Sequence, residues 1–101
     1  MKTHIKKIEK EYFEEQLKDN KNFEIRKNDC KYQIGDRIIL DEIEFLSHFV
    51  ANTGKIAPNA EHFSITGRFM IVMITYITDY AQKEGYVVLG TKELCRYVEK
   101  E

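Results

Sequence analysis

Cysteine is scarce in this chain of 101 residues: Cys30 and Cys95 lie far apart, with no C-x-x-C pair and no Cys/His set beside either. That spacing excludes a disulfide framework and a zinc finger, and fits two reduced thiols in a cytoplasmic protein. Histidine is equally sparse. His4, His48 and His62 fall in separate segments without an H-x-x-x-H spacing, so neither a metal nor a cofactor is expected. Long apolar runs are missing too: the longest, Phe69 to Ile74, is far short of the ~20 residues that span a bilayer. The first seven residues carry no apolar stretch of the signal-peptide kind, and a membrane partner is not expected. Nor is there an excess of one charge. Sixteen Lys and Arg offset seventeen Asp and Glu, for a net charge of -1, which argues against coating nucleic acid by bulk charge and leaves room only for a local basic patch. No repeat, low-complexity stretch or linker divides the chain, so residues 1–101 read as a single domain.

Apolar residues make up 43% of the chain, with six Phe and six Tyr, enough to build a core. Residues 3 to 8 set Ile5 and Ile8 among charges and predict a short edge strand. From Glu9 to Lys18 the period changes: Tyr12, Phe13 and Leu17 fall at helical spacing, with Glu11, Glu14, Glu15 and Lys18 left for solvent. Asp19-Asn20 tolerate the left-handed conformation that ends many helices. Residues Asn22 to Asn28 then alternate, placing Phe23 and Ile25 on one face, read as core, and Glu24, Arg26 and Asn28 on a charged outer face. A polar loop closing on Gly35-Asp36 leads into a third strand that ends near Glu44. Across residues 45 to 65, Phe45, Leu46, Phe49 and Val50 suggest one or two helical turns, and Asn52-Thr53-Gly54 and Pro58-Asn59 an extended loop. Thr66 to Thr78, apolar on both faces, predicts a central strand. Asp79 to Gly85 is a turn or a single helical turn, Tyr86 to Leu89 a further strand, and the tail from Lys92 either extends that strand or forms a helical turn around Leu94, Tyr97 and Val98. The expectation is an α+β domain: a small mixed β-barrel of five to six strands, with one main helix between the first two strands.

One constellation stands out: Lys21-Asn22-Phe23-Glu24-Ile25-Arg26-Lys27-Asn28-Asp29, followed by Gly35-Asp36. It resembles the ASCH-type domains of the PUA-like superfamily, whose signature G-x-K-x-x-E-x-R is matched by Lys21, Glu24 and Arg26, with Asp19 in the glycine position. With His4 to Ile8, Tyr12-Phe13 and Thr66-Gly67-Arg68 added, the pattern resembles the branch catalogued as domain of unknown function 3850 over most of the chain; the 45 to 65 segment is longer than that branch usually carries. The resemblance implies a PUA-like barrel with a cleft that binds nucleic acid, RNA first of all, or a nucleotide fragment.

Glu24 and Arg26 lie two residues apart on one strand face, ~7 Å along it, so a sheet-stabilising ion pair is one reading. In the other, Lys21, Arg26 and Lys27 offer cations to phosphate or base, with Asn28 and Arg68 beside them, while Glu24 accepts from a base edge. Some ASCH-type proteins resemble small amidohydrolases acting on an acylated cytidine through a lysine, a threonine and a glutamate. Lys21 matches the lysine, but Glu24 stands where the threonine would be, so an enzyme is the lesser expectation; it would need a Lys21–Glu24 pair acting on water. A third reading is a protein-interaction module that uses the 45 to 65 segment, with Phe45, Phe49 and Phe63 as anchors or as core. Tyr32, Tyr76 and Tyr86 are candidates for stacking on a base wherever they are exposed.

Overall fold

The computed structural model describes residues 1–45 and 63–98. Five strands and one helix follow in chain order: β1 (Thr3–Glu9), α1 (Lys10–Leu17), β2 (Phe23–Lys27), β3 (Arg37–Phe45), β4 (Phe63–Thr78) and β5 (Tyr86–Tyr97). The tail continues β5 rather than turning into a helix. All five strands join one sheet in the order β1-β3-β4-β5-β2, with β1 parallel to β3 and every other pair antiparallel. The parallel pair is possible because α1 and β2 supply the long crossover it needs. The central place expected for the apolar strand is the one β4 holds.

The sheet curls into a half-barrel. Register shifts interrupt the β3–β4 ladder between Asp41 and Ile43, and the β4–β5 ladder at Ile71/Val72 and Ile74/Tyr76. Such bulges bend a strand and increase its twist. Gly90 makes the last one possible, since a Cβ there would stand 3.2 Å from the Cβ of its neighbour Tyr76. Inside the curl lie Ile8, Phe13, Tyr32, Ile38, Leu40, Met70, Val72, Ile74, Val87 and Leu89, a contiguous apolar core. β3, β4 and β5 contribute alternate residues to it, as the two-residue period of a strand requires, and β1 adds Ile8.

The helix ends as its sequence predicts. Asp19 has φ 65°, and the amides of Asn20 and Asp19 donate to the carbonyls of Glu15 and Gln16, the paired bonds of a Schellman motif. Aspartate thus occupies the left-handed position where glycine is the usual choice. The helix is held down on its other side by a buried network. Glu42 is 1% exposed and takes bonds from Arg68 Nε at 2.7 Å, Arg68 Nη2 at 2.6 Å and Thr66 Oγ1 at 2.6 Å, while Arg68 Nη2 also reaches Glu14 on α1 at 2.7 Å. Burial pushes the Glu42 carboxyl up, but the bonds from Arg68 and Thr66 outweigh it and hold the group below its ordinary value.

Candidate functional site

The curl leaves β1 and β2 as the two edges of the sheet, and the strand directions make them antiparallel across the gap. Among the described residues no backbone ladder joins them. One side chain does: Arg26 Nη2 on β2 donates to the Lys7 carbonyl on β1 at 2.9 Å. Between the edges, roofed at one end by α1 and the turn after it, lies a cleft of about 560 Å³. Lys7, Ile8 and Glu9 line it from β1, Tyr12 and Glu15 from α1, and Asn20, Lys21 and Phe23 to Arg26 from the turn and β2.

The face of β2 is reversed from the expectation. Glu24 is buried at 3% exposure, whereas Phe23 and Ile25 are 39% and 54% exposed. The cause is register: Glu24 pairs with Leu89 and Arg26 with Val87, both core residues, so the charged set shares their inward face. A two-residue period says which side chains share a face but not which face is inside. Tyr12 also departs from expectation, since 53% of it is exposed at the cleft wall while Phe13 carries the helix core contact.

A buried carboxylate needs partners for each lone pair, and Glu24 has them. Oε1 accepts from Arg26 Nε at 3.0 Å and Nη2 at 2.7 Å, and Oε2 accepts from Lys21 Nζ at 2.5 Å and Gln16 Nε2 at 2.8 Å. Lys21 donates as well to the Phe23 carbonyl at 2.6 Å and sits 5.1 Å from the centre of the Phe23 ring. Glu24 therefore has no acceptor direction left for a base edge. Its work is to hold Lys21 and Arg26 in place at the floor of the cleft.

The structure gathers Lys21, Glu24 and Arg26 from the sequence-derived set and leaves out the rest. Lys27 and Asn28 are exposed at the far end of β2, outside the cleft lining, where the Asn28 amide donates to the Gly85 carbonyl at 2.8 Å. Arg68 belongs to the Glu42–Glu14 network and does not line the cleft. Of the candidate stacking residues, Tyr32 is buried, Tyr86 is half-buried and Tyr76 is exposed, none of them at the cleft. Phe45 is exposed opposite Phe63 on the β3–β4 pair, and Phe49 with most of the 45 to 65 segment lies outside the described residues. Sequence reasoning missed Gln16, although its position three after Phe13 and one before Leu17 puts it on the apolar stripe of α1. Lys7 contributes a backbone carbonyl, which no side-chain pattern announces.

A family model described as a domain of unknown function (DUF3850) matches residues 3–91. The chain belongs to the DUF3850 family. No curated protein matches it. For this DUF3850 chain the match spans every described element except the last part of β5, and so includes the whole cleft. Among the described residues, no group of three or more His, Cys, Asp or Glu is placed to hold a metal, and no helix is long and apolar enough to cross a membrane.

Proposed function

We propose that the gap between β1 and β2 is a binding site for a short single-stranded nucleic-acid segment, RNA first of all, or for a nucleotide fragment, and that the half-barrel is the PUA-like ASCH scaffold its signature resembles. The observation that carries the proposal is the arrangement at the floor: two cations fixed by one saturated carboxylate, in a cleft whose lining includes the partly exposed rings of Tyr12 and Phe23. Aromatic faces accept any base by stacking, and fixed cations accept a phosphate or a carbonyl of the base. Arg26 keeps its Nη1 free of partners among the described residues, and Lys21 retains one N–H beyond its two bonds. Charge sets the size of the ligand. Lys7, Lys21 and Arg26 are balanced around the cleft by Glu9, Glu15 and Glu24, so the site suits one or two phosphates rather than a long polyanion.

A hydrolase acting on a modified nucleoside is the weaker reading. Among the described residues no Ser, Thr or Cys lines the cleft, and the four bonds to Glu24 leave it no lone pair with which to take a proton from water.

Fluorescence anisotropy of short single-stranded and hairpin RNAs, with DNA controls, tests the proposal at two salt concentrations. For one or two phosphates, log K falls with log salt at a slope of about -1, at ~0.7 per phosphate for single strands. Arg26→Ala and the exposed-wall variant Tyr12→Ala should each weaken binding, the second by about tenfold for one lost stacking contact of ~1–3 kcal/mol. Absence of binding at low salt, or binding that Tyr12→Ala leaves intact, would overturn it.

A further inference from the structure

A second, smaller cavity of about 210 Å³ adjoins the cleft at Lys21, where the end of α1 meets β5. The turn divides its side chains between the two: Asn20 lines the cleft, Asp19 and Asn22 line the pocket, and Lys21 lines both. Thr91 forms the wall on β5. It continues the buried run of Val87 and Leu89 at the two-residue period of the strand, and it is 8% exposed. Its amide donates to the Asn22 carbonyl at 3.0 Å, which ties the two residues together at the end of the β2–β5 ladder. Where a third apolar residue would complete the run, the strand carries a hydroxyl. That hydroxyl makes no hydrogen bond among the described residues, yet it is not sealed in, since Tyr32 holds the only fully buried side-chain oxygen or nitrogen without a partner among them. The Thr91 oxygen therefore keeps its donor and acceptor directions for what enters the pocket. The Asn22 side-chain amide is unpartnered among the described residues as well.

The charges around the pocket cancel, Lys21 and Lys92 against Asp19 and Glu93. A neutral pocket of mixed donors and acceptors does not select an anion. It suits a group that donates and accepts at once, as a sugar hydroxyl does. In a nucleotide the sugar is bonded both to the phosphate and to the base, so whichever of these meets the remaining N–H of Lys21, the sugar is the next group along. We propose that the pocket is a ribose subsite of the cleft: it takes the sugar of the nucleotide held at Lys21 and bonds its 2′-hydroxyl through Thr91 Oγ1 and the Asn22 side-chain amide. The subsite rests on the nucleic-acid reading of the cleft and narrows the ligand to ribonucleotides. A site that bonds a hydroxyl rejects the analogue lacking it, because its own polar groups are then left unpaired.

The test is fluorescence anisotropy of the full chain with three single strands of one sequence, ribo, deoxyribo and 2′-O-methyl. Wild type should bind the ribo strand about tenfold more tightly than either of the others, the effect of one lost hydrogen bond that leaves a group unpaired. Thr91→Val keeps the branched shape and removes the hydroxyl; it should lower affinity for the ribo strand to that for the deoxyribo strand and leave the deoxyribo affinity unchanged. Asn22→Ala, at an exposed position where the fold is not at stake, should narrow the preference in the same direction. Tyr12→Ala should weaken all three strands by one factor and leave their ratio alone. Equal binding of ribo and deoxyribo strands by the wild type would overturn the subsite and leave the cleft reading standing. So would a ribo preference that both Thr91→Val and Asn22→Ala leave unchanged. Binding of none of the three strands at low salt would overturn the cleft reading and the subsite together.

Discussion

Replacing Glu24 by alanine tests the inward placement of charge on β2. The wild-type carboxylate takes four hydrogen bonds, three from cationic side chains, at 3% residue exposure. Removing one partner of a fully buried ion pair costs about 3–5 kcal/mol, because the charge left behind has lost its solvent and its partner. Here the Lys21 and Arg26 side chains keep 16% and 22% exposure, so water recovers part of that cost. A loss of ~2 kcal/mol remains after this discount, since partly exposed pairs are screened. For a domain of this size that lowers Tm by about 8–16 °C, at ~4–8 °C per kcal/mol. Phe23→Ala is the paired control. If Phe23 lies outward, with 39% of it exposed, its truncation costs less than Glu24→Ala. Urea unfolding followed by far-UV dichroism measures both. A Phe23→Ala loss larger than that of Glu24→Ala would refute the argument, for it would mean that β2 turns its apolar face to the core as its composition alone suggests.

Three further outcomes follow from the same bonds. Asp36 accepts from His4 Nε2 at 2.9 Å, the Lys2 amide at 3.0 Å and the Gln33 amide at 3.1 Å, and these bonds, the histidine's first, hold its carboxyl at about 2 against an ordinary 3.8. A depressed carboxyl stabilises above its unfolded value and loses that contribution as pH falls towards the folded one. Asp36 is 2% exposed, so wild type should exceed Asp36→Asn by ~2 kcal/mol at neutral pH, and the margin should vanish between about pH 4 and pH 2 in urea titrations. Arg68→Met strips buried Glu42 of its cation and should cost ~3 kcal/mol by urea unfolding, the deficit shrinking as the carboxyl protonates at low pH. Asp19→Gly relieves a left-handed residue at φ 65° and should raise stability by ~0.5–1 kcal/mol; a loss of stability would mean that the aspartate side chain contributes more to the turn than its backbone conformation costs.

The order of elements was legible because two periods alternate along the chain: period two at Thr3–Glu9 and Phe23–Lys27, and helical spacing at Tyr12, Phe13 and Leu17. Asp19 was legible for a local reason, since few residues other than glycine tolerate the conformation that ends α1. The orientation of β2 was not, because alternation is symmetric between faces and the deciding fact is its pairing with Val87 and Leu89 some sixty residues away. Arg68 matched the family pattern by position in the chain, yet its partners Glu42 and Glu14 lie 26 and 54 residues away, and that distance is invisible to spacing. The Lys21–Glu24–Arg26 unit was found because all three sit within six residues. Gln16, its fourth member, comes from a neighbouring element.

The reversed strand also explains why the half-barrel stays open. Two edges left facing each other are an invitation to pair, with each other or with another chain, and inward-pointing charges are one way in which proteins prevent it. Here the inward side chains of β2 at the gap are Glu24 and Arg26, where apolar residues would draw the edges together. Arg26 then satisfies the Lys7 carbonyl, an acceptor that a closed barrel would have given to a backbone amide. A side chain in place of a ladder keeps the strands apart by the reach of a guanidinium, and the cleft of about 560 Å³ occupies that separation. The charges that keep the barrel from closing are thus the same ones that line its opening, so any substitution that makes β2 a better strand by hydrophobic pattern should also narrow the cleft.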